Sequence, residues 1–397
     1  MKEKIFIVKN KFRDKYKTGF PLLHKDYFFD YDQSVKEGEI IKVVDEDKRA
    51  FGRAYYGIQN KGIGWLITKD MATKIDEDFF EKIILEAMEK RKKFFKSKST
   101  NTFRVFNGEG DGIGGLTIDY FDGFYLINWY SKGIFKFREI ILNVFKKSIE
   151  YKGIYQKKRF DDAGKYIESQ DFVMGEEAPA PLLVKENDVT FAIYLDDGAM
   201  VGIFLDQKDV RKAIRDKYAK GKSVLNTFSY TGAFSVYAAL GGAKKTTNVD
   251  LANRSYAKTI EQFAVNGIDY EAQDIIVEDV FHYFKYATKK NLKFDMVILD
   301  PPSFAKSKKF KFSASKDYTK LLIDAISITE KNGIIVASTN CSSFNMLKYK
   351  GFVEEAFKTS KKKYKIVEEF MLPGDFVTKN YYKEGNYLKV LFLEVLN

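Results

Sequence analysis

Cysteine is nearly absent: Cys341 is the single cysteine among 397 residues. One thiol excludes an intrachain disulfide, and with no second cysteine beside it there is no cysteine pair for a metal. Long apolar runs are missing too, since no stretch approaches the roughly 18–20 apolar residues that a membrane-crossing helix needs. The opening MKEKIFIVKNKFRDKYK breaks its apolar run with charges after a few residues, which is unlike a secretory leader. Together these absences predict a soluble protein of a reducing cytoplasm. The chain also lacks a Walker phosphate loop, internal repeats and low-complexity linkers.

What is present is positive charge and aromatic surface. Lys and Arg number 67 against 55 Asp and Glu, a net charge of +12, and there are 36 Phe and 25 Tyr. That balance favours an anionic partner, nucleic acid before membrane, unless the lysines merely cover solvated faces. Two stretches interleave Lys with aromatic rings, AKSKKFKFSASK (305–316) and KTSKKKYK (358–365). Such groups neutralise phosphates and stack on unpaired bases.

The chain is long enough for two or three domains. Short alternating runs GEIIKVVD (38–45), AFGRAYYG (50–57) and IGWLIT (63–68) end at turn residues and predict a small β-rich module over 1–72. DEDFFEKIILEAMEKRKKFF (76–95) reads as a helix with acids first and bases last. Two strand-like pieces around a Gly-rich turn follow (103–130), then a helix over 135–150, so 73–187 reads as an α+β module. No helix follows the Gly-rich turn and no Gly-Lys-Ser/Thr is present, which makes it a hairpin turn rather than a phosphate loop. From about 188 to 397, SVLNTF, TTNVD, DIIVED, DMVILD and GIIVAST alternate with helix-length segments. KIVEEFML and YLKVLFLEVL add two more strands with a short loop between them. Alternation of this kind predicts an α/β domain with a mostly parallel sheet covered by helices on both faces.

In open α/β sheets ligands bind beyond the carboxyl ends of the strands. Here those ends carry a polar series: NTFSYTGAF after the first, Asp250 at the second, Asp279 at the third, Asp300 at the fourth and Cys341 after the fifth. Gly232 and its small neighbours let the backbone approach a ligand at a helix start. Asp250 is placed to take two ribose hydroxyls, and Asp279 to accept from an exocyclic amine. Any one of these acids alone reads first as a helix N-cap; the series of four strand ends predicts a nucleoside site. A dinucleotide needs G-x-G-x-x-G at this turn, whereas YTGAF has one glycine, so a nucleoside without phosphates fits better and points to S-adenosylmethionine.

At these residues the chain resembles a known family. VGIFLDQKDVR (201–211), LNTFSYTGAFSVYAALGGA (225–243), VILDPPSFAKSKK (297–309), STNCSS and YKEGNYLKV (382–390) are similar to the class I methyltransferases that make 5-methylcytosine in large-subunit ribosomal RNA. GFPLL (19–23), GRAYYG and GEGDGIGGLTIDYFDG resemble that family's PUA domain and central domain. The resemblance implies a Rossmann-like domain over 188–397 with a seven-stranded, mostly parallel sheet, preceded by a PUA-like RNA-binding domain over 1–72 and a small α+β central domain over 73–187. It implies S-adenosylmethionine as cofactor, held by Gln207, Asn226, Phe228, Ser229, Tyr230, Thr231, Gly232, Asp250, Leu251, Asn266, Asp279, Val280 and Asp300. Ribosomal RNA, free or in an assembling particle, is the implied partner, with a homodimer as a candidate assembly. Two stretches depart from the family pattern, Gly198-Ala199-Met200-Val201-Gly202 and GDFVT (374–378).

A cysteine nucleophile after the fifth strand suits this chemistry. C5 of cytosine is a poor nucleophile, and a thiolate added to C6 pushes electron density onto C5. Asp300 is the candidate for the group facing ring N3, where charge develops. Cys341 also reads as an inert buried thiol. Two further readings stay open: an RNA N-methyltransferase, because DPPSF brings Phe304 close to the Asp-Pro-Pro turn, and an RNA-binding assembly factor without turnover.

Overall fold

The alternating apolar positions of the N-terminal runs become strands in the computed structural model, which describes residues 3–59, 62–160, 171–306 and 311–396. Contacts divide the chain into two compact units. The first comprises Met1–Val184, Ile193–Val201 and Gly374–Gly385; the second comprises Lys185–Ala192, Gly202–Pro373 and Asn386–Asn397.

The first unit holds two sheets. Lys4–Ile7, Ile40–Val44, Ala50–Gln59 and Gly62–Thr68 form a four-stranded sheet in chain order. Thr102–Asn107, Leu116–Phe121, Phe124–Trp129, Gly153–Lys158 and Phe172–Gly175 form a five-stranded one. The segment around the Gly-rich turn therefore contains three strands rather than two, because Asp122 and Gly123, both at positive φ, make a second tight turn. Helix Glu77–Lys90 begins at Asp76, whose carboxylate accepts from Phe79 N–H, and carries acids in its first turn. Phe6, Tyr55 and Trp65 of the first sheet share one hydrophobic core with Phe103, Ile118 and Trp129 of the second. Arg91, fully buried, makes two 2.7 Å bonds to the carboxylate of Asp111 and also donates to the carbonyl of Asp375.

The second unit is built on a seven-stranded sheet: β1 (Ser223–Thr227), β2 (Lys245–Asp250), β3 (Asp274–Val277), β4 (Phe294–Leu299), β5 (Thr329–Thr339), β6 (Lys363–Phe370) and β7 (Lys389–Leu396). Their order is β3-β2-β1-β4-β5-β7-β6. β3, β2, β1, β4 and β5 pair in parallel, and β7 runs antiparallel to both its neighbours. The central strands are apolar on both faces, as burial between two helix layers requires: Met296, Val297, Ile298 and Leu299 are all inaccessible to solvent. The helices are α1 (Ala233–Leu240), α2 (Arg254–Ala264), α3 (Val280–Lys289), α4 (Ala314–Ile328) and α5 (Met346–Thr359).

Two details differ from the sequence expectation. The connection from β6 to β7 is not short: it runs from residue 371 to 388, and Gly374–Gly385 within it belongs to the first unit. There Asn107 and Gly110 meet the backbone of Val377, and Trp65 and Phe20 pack on Tyr382. The lysine stretch 358–365 lies at the start of β6, where Lys363 pairs with Leu396, so it occupies the amino-terminal edge of the parallel sheet. Of the other lysine stretch, residues 307–310 lie outside the described residues. Among the described residues no helix is long and apolar enough to cross a membrane.

Candidate active site

The strand order reverses between β1 and β4, and a cavity of about 360 Å³ opens at their carboxyl ends in the second unit. Its walls include Gln207, Phe228, Ser229, Tyr230, Thr231, Asp250, Leu251, Asp279, Val280 and Asp300, ten of the residues expected from the sequence. The turn that follows β1 is conformationally unusual. Phe228, Tyr230 and Gly232 have φ of 54°, 53° and 78°. Two non-glycine residues in the left-handed region within five positions mark a strained turn of the kind found where a ligand is gripped. Gly232 has a further reason to lack a side chain: a Cβ there would lie 2.7 Å from Thr259 Cγ2.

The acids hold this turn and the next helix in place. Asp250 Oδ2 accepts from Tyr230 N–H at 2.9 Å, and Oδ1 accepts from Ala252 N–H at 2.9 Å. Each oxygen keeps a lone pair beyond its backbone bond. Asp279 caps α3, with both of its hydrogen bonds on Oδ1, from Phe281 N–H at 2.9 Å and His282 N–H at 3.2 Å. Cap and wall are thus the same residue. Apolar surface completes the walls: Phe228 meets Phe281 edge-on at 6.2 Å, and Phe281 lies 5.8 Å from Phe312.

Three residues expected at the cofactor are not in the cavity wall. Asn226 is buried under the turn, donating to Ser235 Oγ at 3.1 Å, because its inward-facing position on β1 lies beneath the surface that the turn presents. Gly232 is the N-terminal boundary of α1. Asn266 lies beyond the end of α2, where its amide is taken up by the backbone of Thr190, accepting from N–H at 3.0 Å and donating to C=O at 2.7 Å. Its role there is to fasten the segment Lys185–Ala192, a pairing that has no local signature in the sequence.

Asp300 follows β4 at the floor of the cavity. Gln207 Nε2 donates to its Oδ1 at 3.0 Å and Ser338 Oγ donates to the same oxygen at 2.7 Å. Desolvation pushes the Asp300 carboxyl up to about 6; the negative charge of Asp206 adds to this, while the two hydrogen bonds and Arg211 oppose it. On the neighbouring strand, Cys341 lies two residues past β5 and is nearly buried. Its Sγ is 3.1 Å from Ser343 Oγ. A 2.5 Å hydrogen bond from Ser303 to Asn340 joins the turn after Asp300 to the turn that carries Cys341.

Lys389, unremarked in the sequence, completes this end of the sheet. It pairs across from Thr339 on β7 and is 3 % exposed. Its Nζ donates to the carbonyls of Cys341, at 3.0 Å, and Tyr387, at 2.6 Å, and lies 5.2 Å from the Phe344 ring centroid. Burial brings its ammonium down to about 8, with the charge of Cys341 acting in the opposite sense. A lysine in an apolar strand would ordinarily be assigned to the solvent face; only the register exposes it as a neighbour of the thiol.

Known proteins share this architecture throughout. Residues 157–380 match the family described as S-adenosylmethionine-dependent methyltransferase, and residues 6–69 match a PUA-like domain. A Bacillus subtilis (strain 168) protein with the provisional name ribosomal RNA large subunit methyltransferase YwbD is 55% identical over 98% of this chain and 99% of its own. Ribosomal RNA large subunit methyltransferase I of Alteromonas mediterranea is 32% identical over 90% of each chain. The crystal structure of a provisionally assigned methyltransferase complexed with SAH superposes with a TM-score of 0.90 at 38% identity, covering 98% of this chain and 99% of that one. The chain belongs to the family of S-adenosylmethionine-dependent methyltransferases that includes the ribosomal RNA large subunit methyltransferases.

Proposed function

We propose that this protein methylates C5 of a cytosine in large-subunit ribosomal RNA, with Cys341 as nucleophile and Asp300 facing ring N3. The observation that carries the reading is the pairing of these two groups at the carboxyl ends of adjacent strands β4 and β5, their turns joined through Ser303 and Asn340. The names of the relatives supply the class of RNA.

The cavity suits the cofactor. Asp250 retains lone pairs for ribose hydroxyls and Asp279 for an amine, while Phe228, Leu251, Val280 and Phe281 offer apolar walls for a planar base. S-adenosylmethionine, when bound there, supplies an electrophilic methyl group. The Cys341 thiolate forms a bond from Sγ to C6 of cytosine, and the electrons of the C5–C6 double bond move to C5 and the ring. Asp300, its carboxyl pushed up to about 6, holds or shares a proton at N3, where negative charge accumulates. After C5 takes the methyl group and S-adenosylhomocysteine is left, a base takes the C5 proton, its electron pair re-forms the C5–C6 double bond, and the thiolate leaves C6. Lysines of the PUA-like domain contact phosphate: Lys11, Lys15, Lys17 and Lys25 are exposed, with Lys11 over the ring of Phe12 and Lys15 over that of Tyr27, which stacks on Phe12.

The test is a covalent trap. Fluorine at C5 cannot leave as a proton, so RNA with 5-fluorocytosine at the target should hold the wild-type enzyme as an adduct. Cys341→Ala should form none and should lose methyl transfer by several orders of magnitude while still binding S-adenosylmethionine. Transfer by Cys341→Ala at the wild-type rate would refute the assignment and favour N-methylation, for which the exposed Phe304 beside the Asp-Pro-Pro turn would be the stacking residue.

A further inference from the structure

Gln207 ends a short turn, Leu205–Gln207, and is 3 % exposed. Its Nε2 donates to Asp300 Oδ1 at 3.0 Å and to Ser338 Oγ at 2.7 Å. Ser338 Oγ in turn donates to Asp300 Oδ1, so the hydroxyl oxygen is the acceptor for the amide. This fixes the amide orientation, because the opposite one would set two oxygens with lone pairs against each other. Oε1 is therefore an acceptor. It is buried, it has no hydrogen-bond partner among the described residues, and its residue lines the cavity. A buried acceptor left alone is costly, and in a ligand site it calls for an N–H or O–H donor from the ligand.

The neighbouring group narrows the donor. Both hydrogen bonds that Asp300 receives from the described residues fall on Oδ1. A carboxyl able to hold a proton and an amide oxygen beside it present a donor next to an acceptor. The edge of cytosine is the complement, with N3 accepting and the exocyclic N4 amine donating; uracil presents the reverse, N3–H and O4. We propose that Gln207 is a specificity residue whose Oε1 accepts from the N4 amine of the target cytosine while Asp300 faces N3, so that the site distinguishes cytosine from uracil. This rests on the reading of the reaction given above, and it moves Gln207 from the cofactor, where the sequence placed it, to the base. The other source of an N–H donor is the ammonium group of the cofactor itself.

The experiment combines a change in the enzyme with removal of one group from the substrate. Full-length wild type, Gln207→Met and Gln207→Asn are compared in single-turnover transfer to RNA carrying cytosine or 2-pyrimidinone, which lacks the amine, at the target. Gln207→Met should slow cytosine on the order of 10- to 100-fold, the scale for leaving a buried polar group unpaired. It should slow 2-pyrimidinone far less, since N3 and the thiol chemistry are common to both. Gln207→Asn, which keeps an amide but withdraws it, should give the same pattern. Affinity for S-adenosylmethionine, measured by calorimetry, should be unchanged. Equal slowing on both bases by either variant, or weakened cofactor binding with base discrimination intact, overturns the proposal; the second outcome gives Oε1 to the cofactor. Adduct formation by wild type on 5-fluorocytosine RNA separates the two levels: without it the reaction itself has been misread, and with it a failure concerns Gln207 alone.

Discussion

Asp300→Asn should make the protein more stable and less active at the same time. The carboxyl ordinarily titrates at 3.8 and here at about 6, chiefly because its surroundings remove water from the charged form. The folded state thus binds this proton more tightly than the unfolded chain does. Stability contributed by the protonated group is full below about 4 and is lost as pH rises through about 6. The step corresponds to about 3 kcal/mol at ~1.36 kcal/mol per pH unit. Asparagine keeps an acceptor for Gln207 Nε2 and Ser338 Oγ but carries no charge to desolvate. Scanning calorimetry of wild type and variant at pH 4, 5, 6 and 7.5 should show a gap in stability that is small at pH 4, widens through pH 6 and then levels off near that magnitude. Methyl transfer by the variant should fall by several orders of magnitude over the same range. A variant less stable than wild type at pH 7.5, or a gap independent of pH, would refute the view that this acid is held at energetic cost.

Asp250→Ala should weaken binding of S-adenosylmethionine by about 1.5–3 kcal/mol, the scale of a charge-assisted hydrogen-bond pair; unchanged affinity in calorimetry would remove it from the site. Lys389→Met should slow labelling of Cys341 by iodoacetamide below pH 8, where the wild-type lysine is charged, and the two rates should converge above it, because the ammonium titrates at about 8; mass spectrometry reads a single site, since there is one thiol. A constant ratio across pH would mean that Lys389 only shapes the turn. Changing Lys11, Lys17 and Lys25 to Glu should flatten the slope of log RNA affinity against log salt without affecting cofactor affinity; an unchanged slope would exclude phosphate contacts on that face.

The row of polar strand ends was legible because period and chemistry coincide there: β-rich runs of strand length each stop at Asp250, Asp300 or the turn before Cys341. What stayed hidden depends on contacts between distant residues. Asn266 has the composition of a site residue, yet its amide is spent on Thr190, 76 positions away. Lys389 sits in a run, YLKVLFLEVL, whose alternation says nothing of a thiol across the ladder. The left-handed φ of Phe228 and Tyr230 has no residue signature, because left-handed backbone is read from Gly and Asn, and neither position carries one. The β6–β7 connection reads as short in the sequence, whereas Gly374–Gly385 is fastened at its backbone carbonyls by the side chains of Arg91 and Asn107.

The strand order carries a consequence for synthesis. β7, last of the seven to be made, lies between β5 and β6, and Lys389 within it holds the carbonyl of Cys341. Gly374–Gly385, just ahead of it, closes the core of the unit that begins the chain. A nascent chain that stops short of Lys389–Leu396 therefore leaves a gap in the sheet between two strands that cannot pair with each other across it, and leaves the thiol unseated. Partial products would be unable to hold Cys341 in place, so a chain released before this strand is made would lack the carboxyl-end geometry of β4 and β5 described above.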